Sequence, residues 1–318
     1  MTGPARIVSL LPAATEIVYA LDAGGQLVGV SHECDHPPAA QKLPRVSRPR
    51  VDPAAKSRDL DREVKALSAK GESLYEIDAT LMAKLKPDLI LTQVQCDVCA
   101  VTPKDLEASL RKLERKPKVV ALDAQSLEGV FNDIRLVGQA LGRGEEAKLL
   151  LFRQWRLTKE IRQRVRGLEP RRAAVLDWID PLMFAGNWIP ELCAIAGATY
   201  GLVPAGKPSR WGAWEELEEY EPDVILAAPC GRDATTTARE LGEALTSEVP
   251  GDLAAIDEGR VWVADGHEFF NRPGPRLIYS AALMARAFHP EAVPPLPEAL
   301  ERHLVLWRPN GRGRPKPH

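Results

Sequence analysis

The sequence shows no excess of charge of either sign. Its 42 Lys and Arg residues nearly balance 44 Asp and Glu residues, which leaves a formal net charge of −2. The longest basic stretch without an acidic residue is the tail from Arg302 to Lys316, which is typical of a solvated chain end. Proteins that bind nucleic acid carry a clustered positive surface, so we predict no nucleic-acid partner.

Cysteine is also scarce. Five cysteines, an odd number, are scattered over 318 residues. A disulfide framework is typical of short secreted chains with an even number of closely spaced cysteines. The pattern therefore favours reduced thiols, as in a cytoplasmic protein.

Long apolar runs are missing near the N-terminus as well. The first apolar run, Ile7 to Leu11, is too short to cross a membrane, and the helix predicted after it contains Glu16. The preceding residues lack the positive region and the small-residue cleavage site of a secretory leader. We therefore predict no membrane insertion, and either a cytoplasmic protein or an extracytoplasmic one whose leader has been removed.

Motifs for two common hydrolytic chemistries are absent too. The sequence contains no Walker A loop for nucleotide phosphates and no Gly-x-Ser-x-Gly elbow for a nucleophilic serine. Nothing in the sequence therefore favours nucleotide hydrolysis or the chemistry of an α/β-hydrolase.

A repeated strand motif is present. The segment Lys86-Pro-Asp-Leu-Ile-Leu-Thr92 is nearly copied as Glu221-Pro-Asp-Val-Ile-Leu-Ala227. Each copy is a short apolar run behind a Pro that ends a helix, which is typical of a buried parallel strand. A polar loop with cysteine follows each copy, and ligands bind at the carboxyl ends of parallel strands. The sequence thus predicts two similar α/β lobes with candidate ligand-binding loops.

The predicted domain boundaries follow from this repeat and from a length that suits two ordinary domains. The longest predicted helix, Glu145 to Val165, spans roughly 30 Å and is expected to form a stiff bridge. We predict an N-terminal α/β lobe over 1–142, a linking helix over 143–168, a second α/β lobe over 169–290 and a Pro-rich, basic extension over 291–318.

Local patterns add expectations for single elements. They predict helices over 75–85, 103–115 and 298–305. Trp155 and Trp262 lie within predicted regular elements, so we expect both in the core. Cys193 lies on a predicted helix and is expected to fill space.

Several segments occur in a characteristic order. They are Arg6-Ile-Val-Ser-Leu-Leu-Pro-Ala-Ala-Thr-Glu16, the strand Leu27-Val-Gly-Val-Ser31 with Asp35-His-Pro-Pro38, the strand Lys86 to Leu91, the long central helix, and Arg272-Pro-Gly-Pro-Arg276 before a helix. In this order they resemble the cobalamin-binding substrate-binding proteins of ABC importers. The resemblance covers roughly residues 5 to 290.

The resemblance implies a class III substrate-binding protein with a chelatase-like α/β fold. Two Rossmann-like lobes with central parallel sheets would be joined by one long helix. The protein would not be an enzyme, and we expect a monomer. It would clamp a small molecule, cobalamin or a related corrinoid, between its lobes for uptake, salvage or delivery.

The resemblance also implies an ABC permease as partner. In the family, an acidic residue near the start of the helix before each repeat strand docks on the permease. Glu215 takes this position in the second lobe. The first lobe departs from the pattern, because the matching residue is Thr80 and the nearby acidic residues are Glu76 and Asp78.

The candidate ligand residues follow predicted strands in both lobes. Thiol and imidazole groups are suitable ligands for cobalt, iron or zinc, and aromatic faces suit a flat macrocycle. The resemblance matches Phe269 to an aromatic residue that packs on the corrin, whereas Glu33 and Gln93 fall where family members have aromatic rings. The candidates are His32, Glu33, Cys34, Gln93, Cys96, Cys99, Trp178, Asp180, Trp211, Cys230, His267, Phe269 and Arg272.

Alternatives remain open at this point. Relatives of the same fold bind haem, iron chelates or bare metal ions, and a metal ion here would find candidate ligands in Cys34, Cys96, Cys99, Cys230 and His267. A cytoplasmic metal or redox enzyme that uses Cys96 and Cys99 is a further interpretation. For each cysteine the plain alternative is core packing, and for each histidine it is a solvated loop position.

Overall fold

The chain forms two compact units in the computed structural model, which describes residues 5–94, 103–111, 113–247 and 253–308. Unit 1 consists of Met1–Ala55, Asp59–Arg156 and Arg272–Pro275, and unit 2 of Lys56–Arg58, Leu157–Asn271 and Arg276–His318. Apart from the short segments 56–58 and 272–275, the chain passes from unit 1 to unit 2 between Arg156 and Leu157, within the longest helix.

A parallel sheet forms the centre of unit 1. The strands of this unit are β1 (Ile7–Ser9), β2 (Leu27–Val30), β3 (Ser47–Pro49), β4 (Tyr75–Ile77), β5 (Leu89–Gln93) and β6 (Lys118–Leu122). Four of them pair in the order β2-β1-β5-β6, and every pair is parallel. Strands β3 and β4 form a separate antiparallel pair.

The helices of unit 1 lie between its strands and after β6. They are α1 (Pro12–Ala20), α2 (Ser57–Ala69), α3 (Ala79–Leu85), α4 (Pro103–Leu110), α5 (Leu127–Leu141) and α6 (Gly144–Arg164), of which α2 and α6 also contribute residues to unit 2. Val8, Ile90, Met82 and Leu106 are fully buried in one cluster between sheet and helices. Burying a side chain of this size stabilises a fold by about 1.5–3 kcal/mol.

Unit 2 has a larger, mixed sheet. Its strands are β7 (Arg171–Trp178), β8 (Met183–Phe184), β9 (Ala198–Thr199), β10 (Arg210–Trp211), β11 (Val224–Ala227), β12 (Val261–Ala264) and β13 (Leu304–Leu306). They lie in the order β10-β8-β7-β11-β12-β13, with β9 beside β7. The neighbours β7, β11 and β12 are parallel, whereas β8, β10 and β13 pair antiparallel.

The helices of unit 2 are α7 (Ile189–Ile195), α8 (Trp214–Tyr220), α9 (Ala234–Ser247), α10 (Ala254–Asp257), α11 (Leu277–Phe288) and α12 (Glu298–Glu301). Phe184, Leu217, Leu241 and Trp307 belong to its buried cluster. Alternation of parallel strands with helices in both units confirms the predicted α/β fold.

The repeated motif has the same geometry in both units. Lys86 and Glu221 end α3 and α8 in the left-handed conformation, with φ of 45° and 46°. Two residues later, the Asp88 carboxylate accepts a hydrogen bond from the backbone N–H of Arg6 at 3.0 Å. The Asp223 carboxylate accepts the corresponding bond from Arg172 at 2.7 Å. The Pro-Asp pair therefore ties the start of each repeat strand to the first strand of its unit.

Helix α6 buries one stripe along its length. Ala147, Leu150, Gln154, Thr158 and Ile161 are buried at helical spacing, as expected for a helix that packs with one face. Trp155, expected in the core, is 57% exposed, because its position, one residue after Gln154, lies off this stripe. The apolar periodicity of the sequence could not predict that Trp155 is exposed, since Leu149 and Phe152 extend the apolar pattern to the exposed face of the helix.

Three helix predictions differ from the structure. Residues 75–77 form strand β4, since they pair with β3, and α3 begins only after Asp78, whose side chain accepts a hydrogen bond from the backbone N–H of Leu81 at 2.8 Å. The helix predicted to Arg115 ends at Leu110. The helix predicted over 298–305 ends at Glu301, and residues 304–306 pair with β12 instead.

The segment 291–318, predicted as an extension, thus contributes helix α12 and edge strand β13 to unit 2. Within the described ranges, no helix combines the length and apolar character that crossing a membrane requires.

Candidate functional site

The loop after β2 carries the first group of candidates in unit 1. His32, Glu33 and Cys34 follow directly on the strand, and Arg45 holds the loop by donating hydrogen bonds to the carbonyl oxygens of Ser31 and Cys34 at 2.8 and 2.6 Å. Sequence reasoning missed Arg45. The short basic and Pro-rich segment around it gives no sign that its side chain closes this loop.

His32 is held in a neutral state. Its Nδ1 is 2.8 Å from the hydroxyl of Ser47, and its ring lies 5.4 Å from the ring of Tyr75. Burial, reinforced by the positive charge of Arg45, lowers the pKa of His32 to about 4. A neutral imidazole has an electron pair for a metal centre, so His32 is chemically competent as a ligand at neutral pH.

Cys34 lies in a different environment. Its side chain is fully buried, and its Sγ is 3.1 Å from the hydroxyl of Thr15 and 3.2 Å from that of Ser31. Burial raises the pKa of the Cys34 thiol above its usual value. A metal ligand or redox nucleophile must form a thiolate, so this environment favours the packing interpretation.

Arg272 belongs to unit 1 and has two carboxylate partners there. Its guanidinium donates to both Asp35 carboxylate oxygens at 2.6 and 3.1 Å, and one of its nitrogens is 3.4 Å from Glu16. Arg272 and Glu16 are both buried. Three segments of the resemblance, 6–16, 35–38 and 272–276, therefore meet in this cluster. Its acidic residues, Glu16 and Asp35, were not among the sequence-predicted candidates.

The remaining candidates of unit 1 lie at or beyond the end of β5. Gln93 is the last residue of this strand and is buried. Cys96 and Cys99 fall outside the described residues.

Neighbouring parallel strands of unit 2 end at another group of candidates. Trp178 is the last residue of β7, Cys230 follows β11 and His267 follows β12. Because these strands are adjacent and parallel, their carboxyl ends share one edge of the sheet. The backbone N–H of Cys230 donates to the carbonyl oxygen of Asp177 at 3.2 Å, and that of His267 donates to the carbonyl oxygen of Arg232 at 3.1 Å. These bonds fix the loops against each other.

An indole and two ion pairs shape this edge. The Trp178 ring is part-buried, and the guanidinium of Arg232 lies 5.5 Å from its centroid. Trp178 also donates through Nε1 to the carbonyl oxygen of Asp180 at 3.1 Å. The Asp180 carboxylate accepts from Arg58 at 2.9 Å, and Arg232 pairs with Glu240 at 3.7 Å. Cys230, in contrast, is exposed.

Phe269 packs inside its own loop. It is 5% exposed, its ring meets that of His303 edge to face at 5.0 Å, and Arg276 lies 5.2 Å from its centroid. Asp265 accepts from His303 Nδ1 at 3.0 Å. The C-terminal strand therefore positions this loop through His303, which sequence reasoning assigned to the tail.

Trp211, the last candidate of this unit, lies on edge strand β10. Its side chain is 47% exposed, which leaves an aromatic surface open to a ligand or to solvent.

Among the described residues, Asp265, Glu268 and His303 bring three potential metal-ligand atoms within 4.8 Å of one another. These residues are engaged with one another and with arginines: Arg276 pairs with Glu268 at 2.7 Å, and Arg302 donates to His303 Nε2 at 3.0 Å. With Nε2 accepting, Nδ1 carries the proton that it donates to Asp265. The cluster is thus an ion-pair network, and Cys34, Cys230 and His267 do not enter it.

The candidate docking residues occupy matching helices. Thr80 and Glu215 are each the second residue of a seven-residue helix before a repeat strand, and both are exposed. Asp78 caps α3, and Glu76 pairs with Arg48 at 2.8 Å. Unit 1 therefore has Thr80, and no acidic residue, at the helix position that Glu215 takes in unit 2.

Comparisons with known proteins extend over most of the chain. The sequence model described as "Periplasmic binding protein" matches residues 7–267. A Bacillus subtilis protein named as an uncharacterised ABC transporter substrate-binding lipoprotein is 23% identical over 91% of this chain and 81% of its own length. A vitamin B12-binding protein of Vibrio cholerae is 23% identical over 86% of this chain and 85% of its own.

Among solved structures, a periplasmic haem-binding protein from Pseudomonas aeruginosa shares the fold. Its TM-score is 0.68 at 20% sequence identity, with 93% of this chain and 96% of that chain covered. These names place relatives outside the cytoplasm, and nothing in the comparisons supports the cytoplasmic alternative.

Proposed function

The chain belongs to the periplasmic binding protein family, a family of binding proteins rather than enzymes, and from that membership we propose that it binds cobalamin or a related corrinoid. The two units correspond to the two predicted lobes in this proposal. The strand-end loops that carry the candidate residues contact the ligand, which is a cargo and not a catalytic cofactor.

The carboxyl edge of the unit 2 sheet supports a flat, metal-containing ligand. It carries an indole, a thiol and an imidazole on adjacent strands, in Trp178, Cys230 and His267. Aromatic faces cover macrocycles through dispersion, and imidazole or thiolate can take an axial position on cobalt. His32, neutral because its pKa is about 4, offers the same chemistry in unit 1.

The pairing of the arginines favours a corrinoid over haem, and it is the observation that carries the choice. Arg58, Arg232, Arg272 and Arg276 each have a carboxylate partner within 3.7 Å, whereas Arg45 beside His32 donates to the carbonyl oxygens of Ser31 and Cys34. A haem brings two propionate charges that need cations to replace their water, whereas the corrin ring of cobalamin carries neutral amides. Arginines whose charge is compensated by a carboxylate therefore suit the neutral amides of a corrinoid better than the propionates of haem.

Haem remains the second candidate. The solved haem-binding relative and the exposed Cys230 at the strand edge favour it, since thiolate and imidazole are both axial ligands of haem iron. An iron chelate or a bare metal ion is distinguished from both ligands by the absence of a corrin or porphyrin spectrum.

Calorimetric titration of the reduced protein with cyanocobalamin, hydroxocobalamin and haemin tests the proposal, with visible spectra recorded alongside. We expect one-to-one binding of the cobalamins in the micromolar range or tighter and weaker binding of haemin. A spectral change with hydroxocobalamin alone identifies a protein side chain in the axial position. Tight haemin binding without cobalamin binding would overturn the corrinoid assignment.

Variants of the strand-edge residues locate the contact. Trp178→Ala removes an aromatic face and is expected to weaken cobalamin binding by at least tenfold, as loss of about 1.4 kcal/mol does. Tyr279→Ala, an exposed aromatic residue on α11, is the matched control and should leave affinity unchanged. Equal losses in both variants would place the ligand elsewhere.

We further propose an extracytoplasmic location and delivery of the ligand to an ABC permease. The relatives named as lipoprotein and as periplasmic protein support the location. The exposed Glu215 supports docking through unit 2.

A further inference from the structure

Helix α6 exposes a patch of large apolar side chains. Leu149, Phe152 and Trp155 are 59%, 57% and 57% exposed, and the rings of Phe152 and Trp155 are 6.1 Å apart. Their spacing of three residues places them on one face of the helix, opposite its buried stripe. Contiguous apolar surface on a soluble protein marks an interaction site more often than scattered exposed residues do.

Basic residues surround this aromatic patch. From Ala147 to Lys159 the helix contains four basic residues and no acidic one, namely Lys148, Arg153, Arg156 and Lys159, and all four are exposed. The acidic residues before this stretch pair locally, Glu145 with Lys148 at 2.7 Å and Glu146 with Arg143 at 2.7 Å. Glu160 follows this stretch directly, and from Arg143 to Glu160 five basic residues outnumber three acidic ones. The local charge is therefore positive in a protein whose net charge is −2.

We propose that this face of α6 binds the surface of an anionic lipid bilayer. Leu, Phe and Trp side chains enter the boundary between head groups and acyl chains, and Lys and Arg side chains lie against the anionic head groups. The opposite face of the helix stays packed on the protein. The attachment is thus peripheral and shallow, consistent with the absence of a spanning helix among the described residues.

Charge decides between a membrane and a second copy of the chain. A symmetric dimer through this face would bring the two sets of basic side chains together, and like charges in a desolvated interface repel strongly. The centres of protein interfaces are also depleted of charge, whereas here cations alternate with the apolar residues. An anionic bilayer complements both features at once. The proposal does not depend on the identity of the ligand.

Vesicle co-sedimentation tests the proposal. The full chain is mixed with vesicles of phosphatidylcholine alone and with vesicles that contain 30% phosphatidylglycerol, at about 0.01 M and about 1 M salt. We expect binding to the anionic vesicles only, and loss of binding at high salt, because the screening length falls from about 30 Å to about 3 Å. Absence of binding to anionic vesicles at low salt would overturn the proposal.

Two variants separate the apolar and charged contributions. Arg153→Gln with Arg156→Gln should lower the affinity on the order of 25-fold, since each basic residue near an anionic surface contributes roughly fivefold. Phe152→Ser with Trp155→Ser should abolish sedimentation, and Tyr279→Ser is the matched control. Circular dichroism verifies folding. Unchanged binding in either double variant would also contradict the proposal.

Two further measurements distinguish membrane binding from self-association through this face. Lipids brominated on their acyl chains should quench tryptophan fluorescence of the unaltered protein, and Trp155→Phe should remove that quenching while retaining binding. Light scattering reports the oligomeric state. A dimer that dissociates in the Phe152→Ser and Trp155→Ser variant would assign the face to self-association instead.

Discussion

A buried carboxyl group links the stability of unit 1 to pH. Asp133 on α5 is 7% exposed and accepts a hydrogen bond from the backbone N–H of Asp123 at 3.4 Å. Burial raises the pKa of Asp133 from 3.8 to about 6. Because this pKa is higher in the folded than in the unfolded chain, the folded state is favoured below about pH 4. That advantage is lost as the pH rises towards 6.

Replacing this carboxyl group by an amide should therefore stabilise the protein at neutral pH. A rise from 3.8 to about 6 corresponds to on the order of 3 kcal/mol of unfavourable free energy for the charged form. We expect Asp133→Asn to raise the free energy of unfolding by about 1–2 kcal/mol at pH 8 and to change it little at pH 4, as measured by urea denaturation. Asp59→Asn, a half-exposed residue paired with Arg62, serves as control and should be neutral at both values.

Single residues also show where sequence reasoning stops. The strand-end positions of Trp178, Cys230 and His267 could be predicted, because each follows an apolar run of strand length. The burial of Cys34 could not, since its hydroxyl partner Thr15 lies 19 residues away. The neutral state of His32 depends on burial and on a charge from Arg45, which only the folded chain brings together.

At the scale of elements, sequence patterns predicted the core strands well and the chain end poorly. Strands β5 and β11 could be predicted because the repeated motifs 86–92 and 221–227 each contain an apolar run of strand length. Strand β13 has three residues and stands among prolines and basic residues, so its pairing with β12 carries no local signal. Strand β4 is equally short, and its partner β3 lies 28 residues earlier.

Two positions at the C-terminal strand, Trp307 and Val305, offer a direct test of the role of β13. Trp307, just after this strand, is 9% exposed and donates through Nε1 to the carbonyl oxygen of Ala238 at 3.1 Å, whereas Val305 is 45% exposed. We expect Trp307→Ala to lower the free energy of unfolding by about 3–5 kcal/mol, because it opens a cavity in the core of unit 2. Val305→Ala should cost less than about 0.5 kcal/mol. Urea midpoints measure both, and equal costs would show that β13 is a dispensable edge.

At the scale of the whole molecule, the two units share one plan but differ in their exposed charges. Both units have a seven-residue helix that ends in a left-handed residue before a Pro-Asp strand start. The second position of that helix is Thr80 in unit 1 and Glu215 in unit 2. Sequence comparison of the repeats was sufficient to find this difference, because the repeat prolines Pro87 and Pro222 fix the alignment.

This asymmetry predicts that transport depends on unit 2 more than on unit 1. An exposed acidic residue that docks on a basic permease surface changes association with the partner without touching the ligand. We expect Glu215→Arg to lower ligand uptake at least tenfold in a strain that relies on this protein, and to leave the ligand dissociation constant in solution unchanged. Glu219→Arg, exposed on the same helix, is the charge-matched control. Thr80→Glu should increase uptake, since it restores the second acidic residue. A similar loss of uptake in Glu215→Arg and Glu219→Arg would mean that net charge, and not docking at this position, controls transport.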